Sequence, residues 1–561
     1  MKWDLEVDLL IAGSGAGAMT TGLRAHDEGL HVLLCEKSDH YGGSSAMSGG
    51  AVWVPNHHHM SKIGLADSSE DAYEYLKKII GPDVDDKRIR AYIESAPAMV
   101  KWLEEHTEMV FTPLSLYPDY YPEEAGGMPG GRSLEPNPYS GRKLGTEFDR
   151  LRPSHPQEMV LGKVAITAAE AHELVSGNMR IVLQRLLAYY LDIGARRRSR
   201  RDTRLTLGNA LVGRLRRSMI DREIPLWLNT PLTKILVENG SVIGAVVQKD
   251  GTDYHVRAHR GIVLAAGGFA RNKEMRERHQ KGPTSDQWTS SNPHNTGEII
   301  EMGQELGAAV QLMDDAWWTP VTLVPGKKFS WILVVEKSMP GAILVNQDGQ
   351  RFTNEGAPYI NVVNGIYDSH HTRAPSVPSY LIFDARYRKN YPCGPLPPGK
   401  WQPDHRLPRK FRQDFMNRAS SISELAEKLG INAEGLNETI NRINQFSQTG
   451  EDLDFHRGKS LYDRYYSDPK VKPNPCLAPI STPPYYAIAV YPGDLGTKGG
   501  LLTNTDGQVV RADGSAIPGL FAIGNCSASV MGKTYPGAGG TIGPAMTFGF
   551  RVAQYLAQRK D

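Results

Sequence analysis

The sequence predicts an α/β fold: a Rossmann-like nucleotide-binding domain assembled from both ends of the chain, an inserted α+β domain, and a smaller helical, basic insert. Three observations predict it. An apolar strand runs into a glycine fingerprint near the N-terminus, a second glycine-rich segment closes the chain, and an aromatic- and proline-rich region lies between them. These shifts place the nucleotide domain at 1–315 and 484–561, the basic insert at 155–206, and the second domain, expected to be catalytic, at 316–483.

Val7-Asp8-Leu9-Leu10-Ile11-Ala12 reads as a buried strand, and Gly13-Ser14-Gly15-Ala16-Gly17-Ala18 follows it directly. Gly13 permits a tight turn, Gly15 lets backbone approach a pyrophosphate, and Ala18 fits close helix–strand packing. The helix expected from Ala18 to Glu28 offers N–H groups and a positive dipole end to phosphates. A second strand, His31 to Cys35, leads to Glu36 and Lys37, with the acid at the spacing that suits ribose hydroxyls. Gly42, Gly43, Ser44, Ser45, Gly49 and Gly50 then let backbone lie close to a flat ligand.

Residues 68–106 carry helical periodicity, and a Pro/Gly-rich surface segment extends from Pro118 to Gly145. A helix is expected over 207–222, and Asn239-Gly240 turns a hairpin beyond Lys234. Gly261 to Ala266 and Gly267 returns a strand to the nucleotide sheet. Near the end, a core strand reaches Gly524-Asn525, and Tyr535-Pro-Gly-Ala-Gly539-Gly540-Thr-Ile542 leads into a last helix. A nicotinamide dehydrogenase has no need of such a closing segment. FAD does, because a second helix N-terminus near N1–C2=O stabilises the reduced ring, and this task falls to Thr541-Ile542-Gly543.

Composition narrows the class. At 561 residues the chain exceeds one ordinary core. Its four cysteines are scattered with no CxxC pair, which argues against a disulfide framework or zinc site and suits a reducing cytoplasm. The acidic start, Met1-Lys-Trp-Asp-Leu-Glu, is not expected to be a signal peptide, and no apolar run is long enough to span a bilayer. Net charge is only +2, yet residues 176–222 hold twelve Arg against three acids. A basic stretch so local, without interleaved aromatics, argues against a nucleic-acid partner.

The chain resembles flavin-dependent 3-ketosteroid Δ1-dehydrogenases, within the fumarate-reductase-like flavoproteins, over nearly its whole length. The resemblance rests on the fingerprint with Glu36, Phe521-Ala-Ile-Gly524-Asn525, Pro118-Asp119-Tyr120-Tyr121, Arg351-Phe-Thr-Asn-Glu355-Gly-Ala-Pro-Tyr359, and Tyr535-Pro-Gly-Ala-Gly539. It implies a 3-ketosteroid substrate and two tyrosines, Tyr120 and Tyr359, that work on the substrate proton; FAD is expected to be non-covalent, because no flavin-linking motif stands out beyond the histidine run. It further implies a carbonyl site made by Tyr535 and the Gly539 N–H. All three tyrosines are present, which favours the Δ1 enzyme over Δ4-(5α)-dehydrogenases. Residues 155–206 are longer than in the shortest family members, so the substrate entrance is expected to differ.

The chemistry asks for these groups. Desaturation beside a ketone needs a base for the α-proton, donors for the developing enolate, and a hydride acceptor such as flavin N5. A free tyrosine, with pKa near 10, is a poor base, so Tyr359 needs its phenolate stabilised, with Tyr120 as the candidate partner. Fumarate chemistry would instead need an Arg/His pocket for two carboxylates. A flavoprotein that binds without catalysis is a third reading, told apart by the absence of flavin bleaching with any 3-ketosteroid. The electron acceptor stays open, a quinone among the candidates.

Other residues have plainer readings. His57-His58-His59, adjacent on an irregular loop, are not expected to converge on one ion, so no metal is assigned. Cys526 reads as a small packing residue, and Arg351 and Glu355 as structural. Within 176–204, Val182, Leu183, Leu186, Leu187 and Tyr190 share helical spacing ahead of Arg196-Arg-Arg-Ser-Arg-Arg201. Two readings stand: a docked helix with a solvated basic turn, or a peripheral contact with the inner face of an anionic membrane.

Overall fold

The structure is a computed structural model that describes residues 2–175, 179–327 and 329–559. The first strand, Leu5–Ala12, is central in an eight-stranded sheet because it is apolar on both faces. It pairs in parallel with Val32–Cys35 on one side and with Thr252–Leu264 on the other. The 252–264 strand serves two partners in succession. Its first half pairs antiparallel with Ser241–Lys249, and its second half pairs in parallel with Ala516–Ala522. Gly261, at φ +135°, makes the change of partner feasible, since a Cβ there would lie 2.5 Å from the Gly519 carbonyl oxygen. The two ends of the chain therefore share one sheet.

The first helix, Ala16–Asp27, follows the fingerprint, starting slightly ahead of the expected position. The closing helix, Ile542–Gln558, packs along it at two glycines. A Cβ on Gly17 would lie 2.7 Å from the Ala545 carbonyl oxygen, and one on Gly549 would lie 2.4 Å from Thr21 Oγ1. Gly17 thus serves helix–helix approach as well as the turn.

A second, antiparallel sheet of six strands is centred on Tyr485–Thr497, which pairs with Ala316–Leu323, Ser379–Asp384 and Asn417–Ala419. This corrects the expected boundary at 484: the strand just after it belongs to the second sheet, and the chain rejoins the first only beyond Thr497. The strand's small and β-branched residues, Ala487, Ile488, Ala489 and Val490, are what a two-faced central strand needs. The helix Tyr359–Thr372 lies against Ala316–Leu323 and aims its N-terminus at the first domain.

The basic stretch forms short helices, Met179–Leu191 and Ile193–Arg198; positions 176–178 of the expected membrane segment lie outside the described residues. The expected apolar face is split. Val182 is buried, whereas Leu183, Leu187, Tyr190 and Leu191 are 51–71% exposed. The basic turn is split too. Arg201 donates inward to the carbonyls of Phe148 and Leu151 and to Asn209, and Arg196 turns to the Arg201 carbonyl, leaving Arg197, Arg198 and Arg200 exposed. Among the described residues no helix is long and apolar enough to cross a membrane.

Candidate active site

One cavity of about 990 Å³ runs from the fingerprint to the second domain. At the fingerprint end its wall includes Gly13 through Ala18, Glu36 and Lys37. Gly13, at φ +118°, is pressed against the Ala265 carbonyl, so no other residue suits this turn. Glu36 accepts from the Ser14 hydroxyl at 2.6 Å and from the Ser38 N–H at 3.0 Å, and burial holds its carboxyl above the usual range. Lys37 donates to Thr296 and pairs with Glu298.

Further along lie Gly43, Ser44, Ser45, Gly49 and Gly50, with Ala266, Gly267, Gly524, Asn525 and Ile542 opposite. Gly42 and Gly540 stand back from the wall. The Gly42 N–H donates to Ser14 Oγ at 3.0 Å, and a Cβ on Gly42 would press on Ala46. The Gly540 N–H closes a turn onto Gly537, and a Cβ there would strike the Pro536 ring. Both glycines shape the wall from behind.

Two features fit this wall to FAD. The helices starting at Ala16 and Ile542 begin on the cavity, and neither N-cap residue supplies a side-chain cap. The Ala16 N–H donates to Ser45 Oγ and the Gly543 N–H to the Gly539 carbonyl, which leaves the other first-turn N–H groups for a ligand. A Cβ on Gly43 would meet nothing nearer than 3.9 Å and one on Gly49 nothing within 4 Å, so the small residues there spare room that the protein itself does not fill.

The tyrosines meet at the other end. The Tyr120 and Tyr359 hydroxyls are 2.6 Å apart, and the ring centroids of Tyr120, Tyr359 and Tyr535 lie 5.1–5.4 Å from one another. All three are buried, and each lines the cavity beside Gly539. Burial, with the neighbouring phenols, pushes Tyr359 well above the ordinary tyrosine value, and the hydrogen bond from Tyr120 is the influence that opposes it. Burial also raises Tyr535, while hydrogen bonds to Thr541 and Tyr359 lower it.

Each tyrosine is held from outside the cavity. Tyr359 opens its helix after Pro358, and the loop before it is tied by a buried ion cluster. In that cluster Arg351 bridges Glu355 and Asp452, Arg457 also reaches Glu355, and the Lys337 ammonium donates to the carbonyls of Glu355 and Ala357. The Tyr120 N–H donates to the Pro536 carbonyl at 2.9 Å, which joins it to the segment carrying Tyr535. Tyr75 donates to the same carbonyl at 2.7 Å.

Asp119, next to Tyr120, accepts from Trp53 Nε1 and from Arg132, and Arg132 also binds Asp67. Burial pushes Asp119 up to about 6 against the pull of Arg132. Sequence reasoning missed Trp53, Asp67 and Arg132. Asp119 was visible as the neighbour of Tyr120, but its partners lie 66 and 13 residues away at no regular spacing.

Two of the three histidines share one acid. His58 and His59 Nε2 approach Glu104 Oε2 at 2.9 and 2.8 Å, with Lys62 3.5 Å from His59 Nδ1. His57 instead faces the Gly131 carbonyl. Cys526 is buried, gives its thiol to the Gly267 carbonyl, and is pushed up to about 12, as a packing residue would be. The insert reaches the cavity through Ile166, Ala171 and His172, the last stacked on Tyr465 with centroids 4.9 Å apart.

Residues 8–542 match the family described as FAD binding domain. Proteins named 3-oxosteroid 1-dehydrogenase from Mycobacterium tuberculosis and Mycolicibacterium smegmatis are 42% and 39% identical, over 99% and 98% of this chain and 99% and 97% of theirs. The solved 3-ketosteroid delta1-dehydrogenase from Sterolibacterium denitrificans, in complex with 1,4-androstadiene-3,17-dione, is 46% identical with a TM-score of 0.96. That match covers 99% of this chain and 100% of the other.

Proposed function

We propose, on the premise that this chain belongs to the 3-oxosteroid 1-dehydrogenase family of FAD-binding flavoproteins, that it desaturates the C1–C2 bond of 3-keto-4-ene steroids. The observation that carries the reading is the buried triangle of Tyr120, Tyr359 and Tyr535 beside Gly539, in the cavity that begins at the glycine fingerprint.

In this reading the steroid's C3 oxygen is received by the Tyr535 hydroxyl and the Gly539 N–H. Two such donors stabilise the enolate developing at C3 by about 3 kcal/mol each, which acidifies the C2–H. The Tyr359 phenolate takes that proton, and the Tyr120 hydroxyl donates to the phenolate oxygen. Burial makes the phenolate costly to form and correspondingly strong as a base, which suits a weakly acidic C–H. The apolar enclosure keeps water from competing for the proton. FAD, bound by the fingerprint and the two helix starts, supplies the hydride acceptor for C1 at N5.

The test is product identity. Holoenzyme given 4-androstene-3,17-dione and an artificial electron acceptor is expected to yield the 1,4-diene. Introduction of a 4-ene into a saturated 5α-3-ketosteroid instead, or reduction of fumarate, would assign it to a neighbouring chemistry.

A second reading concerns where the enzyme works. Leu183, Leu187, Tyr190 and Leu191 fall at i, i+4, i+7 and i+8, an exposed apolar stripe flanked by Ile193 and by Arg197, Arg198 and Arg200. This supports a peripheral seat on an anionic lipid surface, with the stripe in the headgroup boundary and the three arginines on phosphates. The insert also contributes to the cavity wall, so a steroid leaving the bilayer would enter beside it.

A further inference from the structure

Past the catalytic triangle the cavity wall changes character. It continues along Tyr117, 6.5 Å from Tyr120 by ring centroids, and Tyr465, 4.5 Å beyond that. It ends on two segments of the second domain, 386–400 and 464–471. These segments bring four cations to the wall: Arg386, Lys400, Arg464 and Lys470.

Among the described residues, none of the four lies within ion-pair distance of an acid. Arg386 donates one bond to the Pro340 carbonyl at 2.8 Å, and its Nε is buried with no acceptor. Arg464 Nε donates to the Gly458 carbonyl at 2.7 Å, with the rest of the side chain exposed. The one acid on this stretch, Asp468, is taken up by the Tyr391 hydroxyl at 2.7 Å and the Lys470 N–H at 3.0 Å. Glu135 and Glu158 also line the cavity, near enough to Tyr465 and Tyr466 to raise those phenols, and burial pushes both carboxyls up to about 7. A cavity end with four cations and no acid paired to them draws an anion, because their combined field is uncompensated there.

A steroid is rigid. With its C3 oxygen at Tyr535 and Gly539, its C17 end points away from them, along Tyr117 and Tyr465 toward this wall. We propose that the wall receives a carboxylate at the end of the C17 side chain, so that the preferred substrates are 3-keto-4-ene steroids with an acidic tail. The proposal rests on the ring-A placement given above. Arg386 offers the carboxylate the guanidinium N–H groups that Pro340 leaves free, and the lysines and Arg464 supply attraction from the rim.

The test compares kcat/KM for three 4-en-3-ones: 3-oxo-4-cholen-24-oic acid, its methyl ester, and 4-androstene-3,17-dione. The acid is expected to exceed the ester by about tenfold or more, the scale of one charge-assisted hydrogen bond. The ratio should shrink as salt is raised and fall toward one in Arg386→Leu and in Lys400→Ala/Lys470→Ala. An ester turned over as well as the acid overturns the proposal while leaving 1,2-desaturation in place. Failure to turn over any of the three overturns the ring-A reading beneath it.

Discussion

Replacing Arg351 by Met tests how the second domain holds Tyr359 in place. The Arg351 side chain is 4% exposed and makes four hydrogen bonds: to Glu355 at 2.9 and 2.7 Å and to Asp452 at 3.1 and 2.9 Å. Arg457 supplies a second guanidinium, 3.2 Å from Glu355, whereas Arg351 is the side-chain cation that binds Asp452. Without Arg351, the Asp452 carboxylate loses its side-chain cation and keeps only backbone donors. Breaking a buried pair in this way costs about 3–5 kcal/mol. An exposed pair in the same domain, Arg442–Asp454, with Arg442 58% exposed, is worth under about 1 kcal/mol. Urea denaturation of the two holoenzyme variants should therefore give a large drop in midpoint for Arg351→Met and almost none for Arg442→Met. Adding Glu355→Gln to Arg351→Met removes the other carboxylate that Arg351 held and should recover part of the loss. Equal midpoints for the two single variants would refute the reasoning, as would further loss in the double variant.

Other expectations concern the site and the membrane. Tyr535→Phe removes one carbonyl donor and should lower kcat on the order of 100-fold with flavin retained. Gly539→Ala should lose at least as much, because at φ +95° its Cβ would lie 2.5 Å from the Trp53 nitrogen and displace the donating N–H. Tyr359 acts only when deprotonated and its folded pKa is raised, so the rate should climb with pH through the neutral range without a plateau there; a plateau near pH 7 would count against it. Arg197→Ser/Arg198→Ser/Arg200→Ser should weaken binding to anionic vesicles, at roughly 1 kcal/mol per residue. Wild-type protein that ignores such vesicles at low salt would mark the insert helix as simply docked.

Much of the first domain was legible because its signals are local. The strand, glycine turn, helix and acid from Val7 to Glu36 lie within one stretch and follow one steric logic. The closing helix at Ile542 could be read for the same reason. Residues 485–497 were grouped with the nucleotide domain and not read as a strand, because nothing in them tells which neighbours they will pair with. The long strand Thr252–Leu264 was seen only in its apolar second half; the first half is more exposed and serves a different partner.

At the site, family resemblance supplied Tyr120 and Tyr359, and it takes the fold to bring hydroxyls 239 residues apart to 2.6 Å. Trp53, Asp67 and Arg132 carried no signal, since a buried carboxylate network is defined by geometry and not by spacing. The arginine run misled in part. Its composition suggested one outward basic surface, yet Arg201 and Arg196 are consumed by backbone carbonyls.

The central claim is that Tyr359 removes the substrate proton, and single-turnover reduction tests it most directly. Under anaerobic conditions, wild-type and Tyr359→Phe holoenzymes are mixed with 4-androstene-3,17-dione and flavin bleaching is followed. Dithionite reduction confirms equal flavin content in both. The account predicts bleaching at least ~100-fold slower in Tyr359→Phe, the lower scale of general-base catalysis. Bleaching at the wild-type rate would contradict it.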